Sequence, residues 1–307
     1  MMQRTWSLAA LVAALLLSGS VQAAPDSEGV AILRVAMEKE KEPGALAQAL
    51  AELDALVARQ PKQADAHYAR GWVLSRLGRA DAAVAAYDRA LELDKQLADA
   101  AYNAGVVLAR AGKAKEAAVR FDRALAVDPK HVDAAYNAGQ SYYDQKQFEK
   151  AAARWTEAAK LAPDDFNAAK KLVQAYMALG KEAEAMKARD KVFALRKAAK
   201  DPQVAKLKSY VLDQFAVGKY HVYAYEAFDP LAGDLAYVYQ FQVTEKDRPL
   251  GSVNLETSAV IREQGTPYIL GMDKDGKHQS FPEKTWKTLP AYKVVRTEAI
   301  AKIKASF

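Results

Sequence analysis

From Ala64 onward the chain realigns with itself every 34 residues, without insertion or gap, in blocks 64–97, 98–131, 132–165 and 166–199. Gly71, Gly105 and Gly139 share one column, with Val173 in that place in the fourth block. Ala83, Ala117, Ala151 and Ala185 form a second column, and Ala90, Ala124, Ala158 and Val192 a third. An aromatic column runs through Tyr87, Phe121 and Trp155 and is broken by Arg189. Pro129 and Pro163 punctuate block ends, and Lys95 stands where the first block would have its proline. A strict period of this length restricts the fold to a stacked array, because one unit cannot bury its own apolar face.

Within a block the apolar residues recur at helical spacing, as in Ala104, Gly105 and Leu108 and then Ala117, Phe121 and Ala124. Each block therefore reads as two antiparallel helices. Gly and Ala at facing positions permit a close approach, and the aromatic fills the space beside them. Gly78, Gly112 and Gly180 fall between the helices, where a helix C-terminus favours a residue that adopts positive φ.

These columns resemble the tetratricopeptide repeat (TPR) family across residues 64–199, most closely in the first three blocks. Upstream, Gly44, Ala49, Leu53 and Pro61 keep half of the pattern, so residues 24–63 are expected to form a helical cap with a diverged half repeat. The resemblance implies an α-helical TPR solenoid whose first helices line a concave surface. It also implies a non-catalytic scaffold that binds a protein or an extended peptide segment through that groove.

The inward stripe can be followed by spacing, since residues i, i+3, i+4 and i+7 share a helix face. Tyr68, Tyr102 and Tyr136 repeat on it, with Lys170 in the fourth place; Asn103, Asn137 and Lys171 lie beside them. One turn on are Trp72, Val106, Gln140 and Gln174, and beyond these Arg76, Arg110 and Tyr143. Amides pair with a peptide backbone and aromatics supply contact area at low entropic cost. For each tyrosine, packing between adjacent repeats is an equal alternative. Some TPR proteins grip a C-terminal carboxylate with Lys and Asn; here Asn137 and Lys171 match two of those places, while Tyr102, Val106 and Asn167 depart from the other three.

Asp201-Pro202 ends the array. Val204, Leu207, Tyr210, Val211 and Phe215 then predict one more amphipathic helix, ending at Gly218. The period next falls to two: residues 220–228, 235–243, 251–261 and 268–272 read as strands, with turns at Gly233, Arg248-Pro249, Gly265 and Asp275-Gly276. A closing helix is predicted from Pro290 through Ile300, Ile303 and Phe307. Residues 202–307 are thus a smaller α+β domain with an antiparallel sheet.

At the N-terminus, Arg4, the apolar run Leu8–Leu17 and the small-residue tail ending Val21-Gln22-Ala23 have the layout of a signal peptide spanning residues 1–23. The run is too short to span a bilayer, so the mature chain is expected to begin at Ala24, carry no stable membrane anchor, and be periplasmic or secreted. With no Cys among 307 residues, thiol chemistry and cysteine-type zinc sites are excluded. A net charge of +6, dispersed over 44 basic and 38 acidic residues, forms no arm for nucleic acid. The basic stretch Lys187, Arg189, Lys191, Arg196, Lys197 and Lys200 reads as a solvated helix face. His67, His131, His221 and His278 share no metal-ligand spacing. Asp273-Lys274-Asp275-Gly276 departs from a calcium loop at Lys277 and reads as a hairpin turn. No cofactor is implied and no catalytic residue stands out. The alternative class is an envelope enzyme or small-ligand-binding protein acting through its C-terminal domain.

Overall fold

The computed structural model describes residues 27–207, 209–227, 239–245, 248–254, 259–263, 266–272, 278–282, 296–297, 299–301 and 303–304. The chain divides into two compact units, one ending at Pro129 and the other starting at Lys130.

The first unit is helical. A hairpin of α1 (Glu28–Glu38) and α2 (Ala45–Arg59) precedes the pairs α3 (Ala64–Arg76) with α4 (Ala80–Leu93) and α5 (Ala98–Arg110) with α6 (Ala114–Val127). Both helices of the leading hairpin pack on α3. Ser27 caps α1, its Oγ accepting from the Val30 amide and donating to the Asp65 carboxylate at the start of α3. The core runs from Leu33 and Leu53 through Val73 and Tyr87 to Ala104.

The second unit holds the pairs α7 (Val132–Asp144) with α8 (Phe148–Leu161) and α9 (Phe166–Ala178) with α10 (Glu182–Ala198). After the single turn α11 (Pro202–Ala205) the described residues form the strands β1 (Ser209–Val217), β2 (Tyr220–Ala227), β3 (Tyr239–Glu245), β4 (Arg248–Asn254), β5 (Ala259–Glu263), β6 (Thr266–Met272) and β7 (His278–Pro282). They form two antiparallel sheets, ordered β1-β2-β3-β4 and β5-β6-β7. The fold is a TPR solenoid followed by an α+β part.

The glycine and aromatic columns explain each other. A Cβ on Gly71, Gly105 or Gly139 would lie 2.8, 2.7 or 2.6 Å from the ring of Tyr87, Phe121 or Trp155 respectively. Those distances are shorter than packed carbon atoms allow, so hydrogen is the only side chain that fits. In the fourth pair both columns change together. Val173 replaces the glycine, and Arg189 replaces the ring and turns to the sheet.

There Arg189 Nε donates to Glu226 Oε1 at 2.7 Å, and Tyr210 Oη donates to Glu226 Oε2 at 2.8 Å. The Glu226 side chain is fully buried. Phe166, Ala169, Val173 and Val192 share one core with Tyr210, Leu212, Val222, Phe241, Val243, Ala299 and Ile303. The sheet is therefore packed against the fourth helix pair.

Loop geometry repeats with the same period. Arg79, Lys113, Gln147 and Lys181 each donate a backbone bond of 2.9 Å to Leu74, Leu108, Tyr142 and Tyr176 in turn, closing four equivalent helix ends. The residue before each donor has positive φ: 74° at Gly78, 75° at Gly112, 61° at Lys146 and 69° at Gly180. Lys146 is the single residue with a side chain in that series. Lys146→Gly is expected to raise stability by about 0.5–1 kcal/mol, since relief of left-handed strain exceeds the added chain entropy. An unchanged or lower denaturation midpoint would contradict this.

Several strand-level expectations are corrected. The helix predicted over Val204–Phe215 is the one turn α11 and then β1. The strand carries a bulge between Val211 and Asp213, so its buried apolar residues Tyr210, Leu212, Phe215 and Val217 step by two, three and two. The three-residue step imitates a helix. The run 251–261 is split between β4 and β5, which belong to different sheets. Arg248-Pro249, expected as a turn, opens β4 at an irregular register opposite Thr244 and Glu245. Among the described strands β4 lies at the end of its sheet, the place where a proline is tolerated. Strand β7, unforeseen, is short, polar and closed by Pro282. Residues 228 and 235–238, the turns at Gly233, Gly265 and Asp275-Gly276, and residues 290–295 and 307 of the closing helix lie outside the described residues. Residues 296–297, 299–301 and 303–304 are helical.

Candidate peptide-binding face

The stripe residues belong to α3 and α5 in the first unit and to α7 and α9 in the second. In the first unit Tyr68 is only 5% exposed. Its ring tilts against Tyr87 at 5.6 Å, and its hydroxyl accepts from Asn103 Nδ2 at 2.9 Å. For Tyr68 packing between repeats prevails, and Asn103 serves that packing with its amide nitrogen. Burial raises the Tyr68 phenol well above its ordinary pKa. Tyr102 is half-buried against Phe121, with ring centres 5.8 Å apart. Trp72 is half-buried beneath the Arg76 guanidinium, which also pairs with Glu40 from the leading hairpin. Arg110 is exposed at the end of α5.

In the second unit Tyr136, Asn137, Gln140 and Tyr143 are all half-buried on α7. Gln140 Nε2 donates to Asp144 Oδ1 at 2.7 Å. The Tyr143 ring lies between Phe148 and Trp155, at 5.1 and 5.6 Å. Trp155 Nε1 donates to the Tyr136 carbonyl at 3.0 Å, fixing α8 to α7. On α9, Lys170 Nζ lies 4.9 Å from the centre of the Phe166 ring, and Lys171 Nζ 5.8 Å from that of Trp155. Burial lowers the pKa of both lysines, opposed by Asp165 at Lys170 and by Asp144 at Lys171. Gln174, expected on this stripe, is 6% exposed. Its Nε2 donates to the Val211 carbonyl of β1 at 3.1 Å.

Two carboxylates that act on this face, Asp213 and Asp144, are not among the expected residues. Asp213 is buried on β1 and held by Arg296 Nε at 3.0 Å, and only the fold brings it near the repeats. Asp144 could have been found as the i+4 neighbour of Gln140. Among the described residues no group of three or more His, Cys, Asp or Glu is placed to hold a metal ion. Among the same residues no helix is long and apolar enough to cross a membrane.

Burial also makes the face sensitive to alkali. The phenols of Tyr136 and Tyr143 are pushed up to about 12, through burial first and then through nearby carboxylates, Asp165 for Tyr136 and Asp213 and Asp144 for Tyr143. Both values lie above the ordinary 10.0 of an unfolded chain, so the folded state holds these protons longer. The resulting stability is intact below about pH 10 and is lost as pH rises toward about 12, at up to ~1.4 kcal/mol per pH unit per phenol. Denaturation midpoints followed by circular dichroism from pH 9 to 12 should fall accordingly. A flat profile would mean that neither phenol is held by the fold.

Sequence comparison bears on the same helices. The tetratricopeptide repeat profile matches residues 44–101, 74–130 and 136–202, and a second profile of that description matches 108–154. This chain belongs to the tetratricopeptide repeat family. Among solved structures, a crystal structure of MamA is 19% identical with a TM-score of 0.50, covering 57% of this TPR protein and 98% of MamA. A second MamA crystal structure is 20% identical with a TM-score of 0.50, covering 56% and 95%. YrrB, described as a TPR protein with an unusual peptide-binding site, is 19% identical with a TM-score of 0.49, covering 59% and 90%. At such identity the MamA structures speak for the fold alone. No curated protein matches the sequence.

Proposed function

We propose that this TPR protein is an exported, non-catalytic scaffold whose inner-helix stripe binds an extended polypeptide. One observation carries the reading. At Gln174 the stripe already holds extended backbone, the Val211 carbonyl of the chain's own strand β1. Gln140 stands one repeat earlier in the same column, beside Tyr136, Asn137 and Tyr143. Half-buried aromatics and amides in that arrangement suit a peptide main chain. Family membership supports the coarser statement of protein–protein interaction.

Each hydrogen bond from an amide of the stripe to the peptide backbone is a net gain of ~0.5–1.5 kcal/mol. Asn137→Ala with Gln140→Ala should therefore weaken partner binding by roughly 1–3 kcal/mol, about five- to two-hundred-fold. Crosslinking in the cell envelope would supply the partner, and a titration with the purified pair the affinity. Unchanged affinity in the double variant would defeat the groove reading. Export is tested separately by sequencing the mature N-terminus. Ala24 is the expected first residue, and Met1 retained in a membrane fraction would overturn export.

A further inference from the structure

On the second unit, the hydrogen-bonding capacity that the stripe leaves unspent is of one kind, donor. Lys170 and Lys171 are consecutive, half-buried residues of α9. Their Nζ atoms rest 4.9 Å from the Phe166 ring centre and 5.8 Å from that of Trp155, and neither bonds to an oxygen of a described residue. Both nitrogens keep contact with solvent, since neither is among the enclosed polar atoms without a partner. A ring face attracts a cation but supplies no oxygen for its N–H groups. Asp165 acts on both Lys170 and Tyr136, and Asp144 on both Lys171 and Tyr143, which gathers these donors around one surface.

The carboxylates there are already engaged. Asp165 Oδ1 accepts from the Asn167 and Ala168 amides at the start of α9. Asp144 Oδ1 accepts from Gln140, and Asp213 accepts from Arg296 and from the Gln214 amide. The charge left without a partner is therefore positive.

We infer that this surface selects an extended peptide segment by an internal acidic residue, whose side-chain carboxylate accepts from Lys170 and Lys171. The inference rests on the groove reading and adds to it the chemistry of the partner. A carboxylate only accepts, which answers a surface with a surplus of donors. Bonds between ionised groups are also the stronger ones. The two ammonium groups are near enough for Lys170 to disfavour the charge on Lys171, and an arriving anion relieves both. Tyr102, Val106 and Asn167 stand where other TPR proteins grip a chain terminus, which assigns the carboxylate to a side chain.

The test selects binders from a random phage-displayed dodecamer library on the full chain from Ala24. The tightest binder is synthesised with acetylated and amidated ends, and again with each Asp or Glu replaced in turn by Asn or Gln. In fluorescence anisotropy one such replacement should weaken binding about ten- to a hundredfold, the contribution of a charge-assisted bond. The double variant Lys170→Met, Lys171→Met should weaken the unmodified peptide by a similar factor and make that replacement nearly neutral. Its melting temperature should not fall, because neither lysine bonds to a described residue. Lys187→Met, exposed on α10 and outside the stripe, should leave the affinity unchanged.

If the peptide replacement and the lysine substitutions multiply independently, or if Lys187→Met weakens the peptide as much, the proposal is wrong. A tightest binder without Asp or Glu also overturns it, and the groove reading then survives if Asn137→Ala with Gln140→Ala weakens that peptide. A free-acid peptide that binds about tenfold tighter than its amidated form would assign the lysines to a chain terminus and overturn the proposal. A library that yields no binder would overturn both readings.

Discussion

Gly105→Leu is expected to destabilise the protein by ~1–3 kcal/mol or more, because even a Cβ there would lie 2.7 Å from the Phe121 ring. Phe121 is fully buried, with Ala104, Ala117 and Ala124 equally buried around it, so the ring has no space into which to move. At about 2–4 °C per kcal/mol for a chain of this order, the calorimetric midpoint should fall by roughly 2–12 °C. Lys113→Ala is the matched control. Lys113 is exposed and its pairing with Asp81 at 3.0 Å lies at the surface, where ion pairs contribute little. Equal and negligible shifts from both substitutions would refute the packing described for the glycine and aromatic columns.

The second large effect is expected at the junction of the fourth helix pair with the sheet. Arg189→Met strands the fully buried Glu226 carboxylate, with Tyr210 as its remaining partner, and should cost about 3–5 kcal/mol. Adding Glu226→Gln should recover most of that loss, since the amide is uncharged and still accepts from Tyr210. Urea midpoints of wild type, both single variants and the double variant give the coupling directly. Strict additivity would mean that Arg189 and Glu226 do not act as a pair. The same junction makes removal of residues 202–307 a poor test of groove function. It would uncover Phe166, Val173 and Val192, which share their core with the sheet.

The repeat array was legible because its determinants are local and recur 34 residues apart. Helical spacing, a glycine opposite an aromatic and a left-handed residue at each hairpin all lie within one block. Where the recurrence lapsed, sequence reasoning registered the break without its meaning. Arg189 interrupts the aromatic column because its partner is a carboxylate 37 positions downstream. Lys146 occupies a glycine position whose φ is imposed by the helices on either side.

Beyond residue 201 the pattern misled, again for identifiable reasons. The bulge in β1 turned a strand into a three-residue step, and Pro249 signalled a turn although an edge strand accommodates it. The candidate site divides in the same way. Its amides and aromatics were found by spacing, since residues on one helix face are neighbours whatever the fold. The burial of Tyr68, the engagement of Asn103, the contact of Gln174 with β1 and the approach of Asp213 were not legible. Each depends on contacts between residues distant along the chain. The amino-acid sequence by itself determined the array, its period and the composition of its inner stripe, through interactions that begin and end within neighbouring blocks. Only the tertiary structure decided which stripe residues remain available and that the sheet closes over the fourth helix pair, because burial is a property of what packs above a side chain.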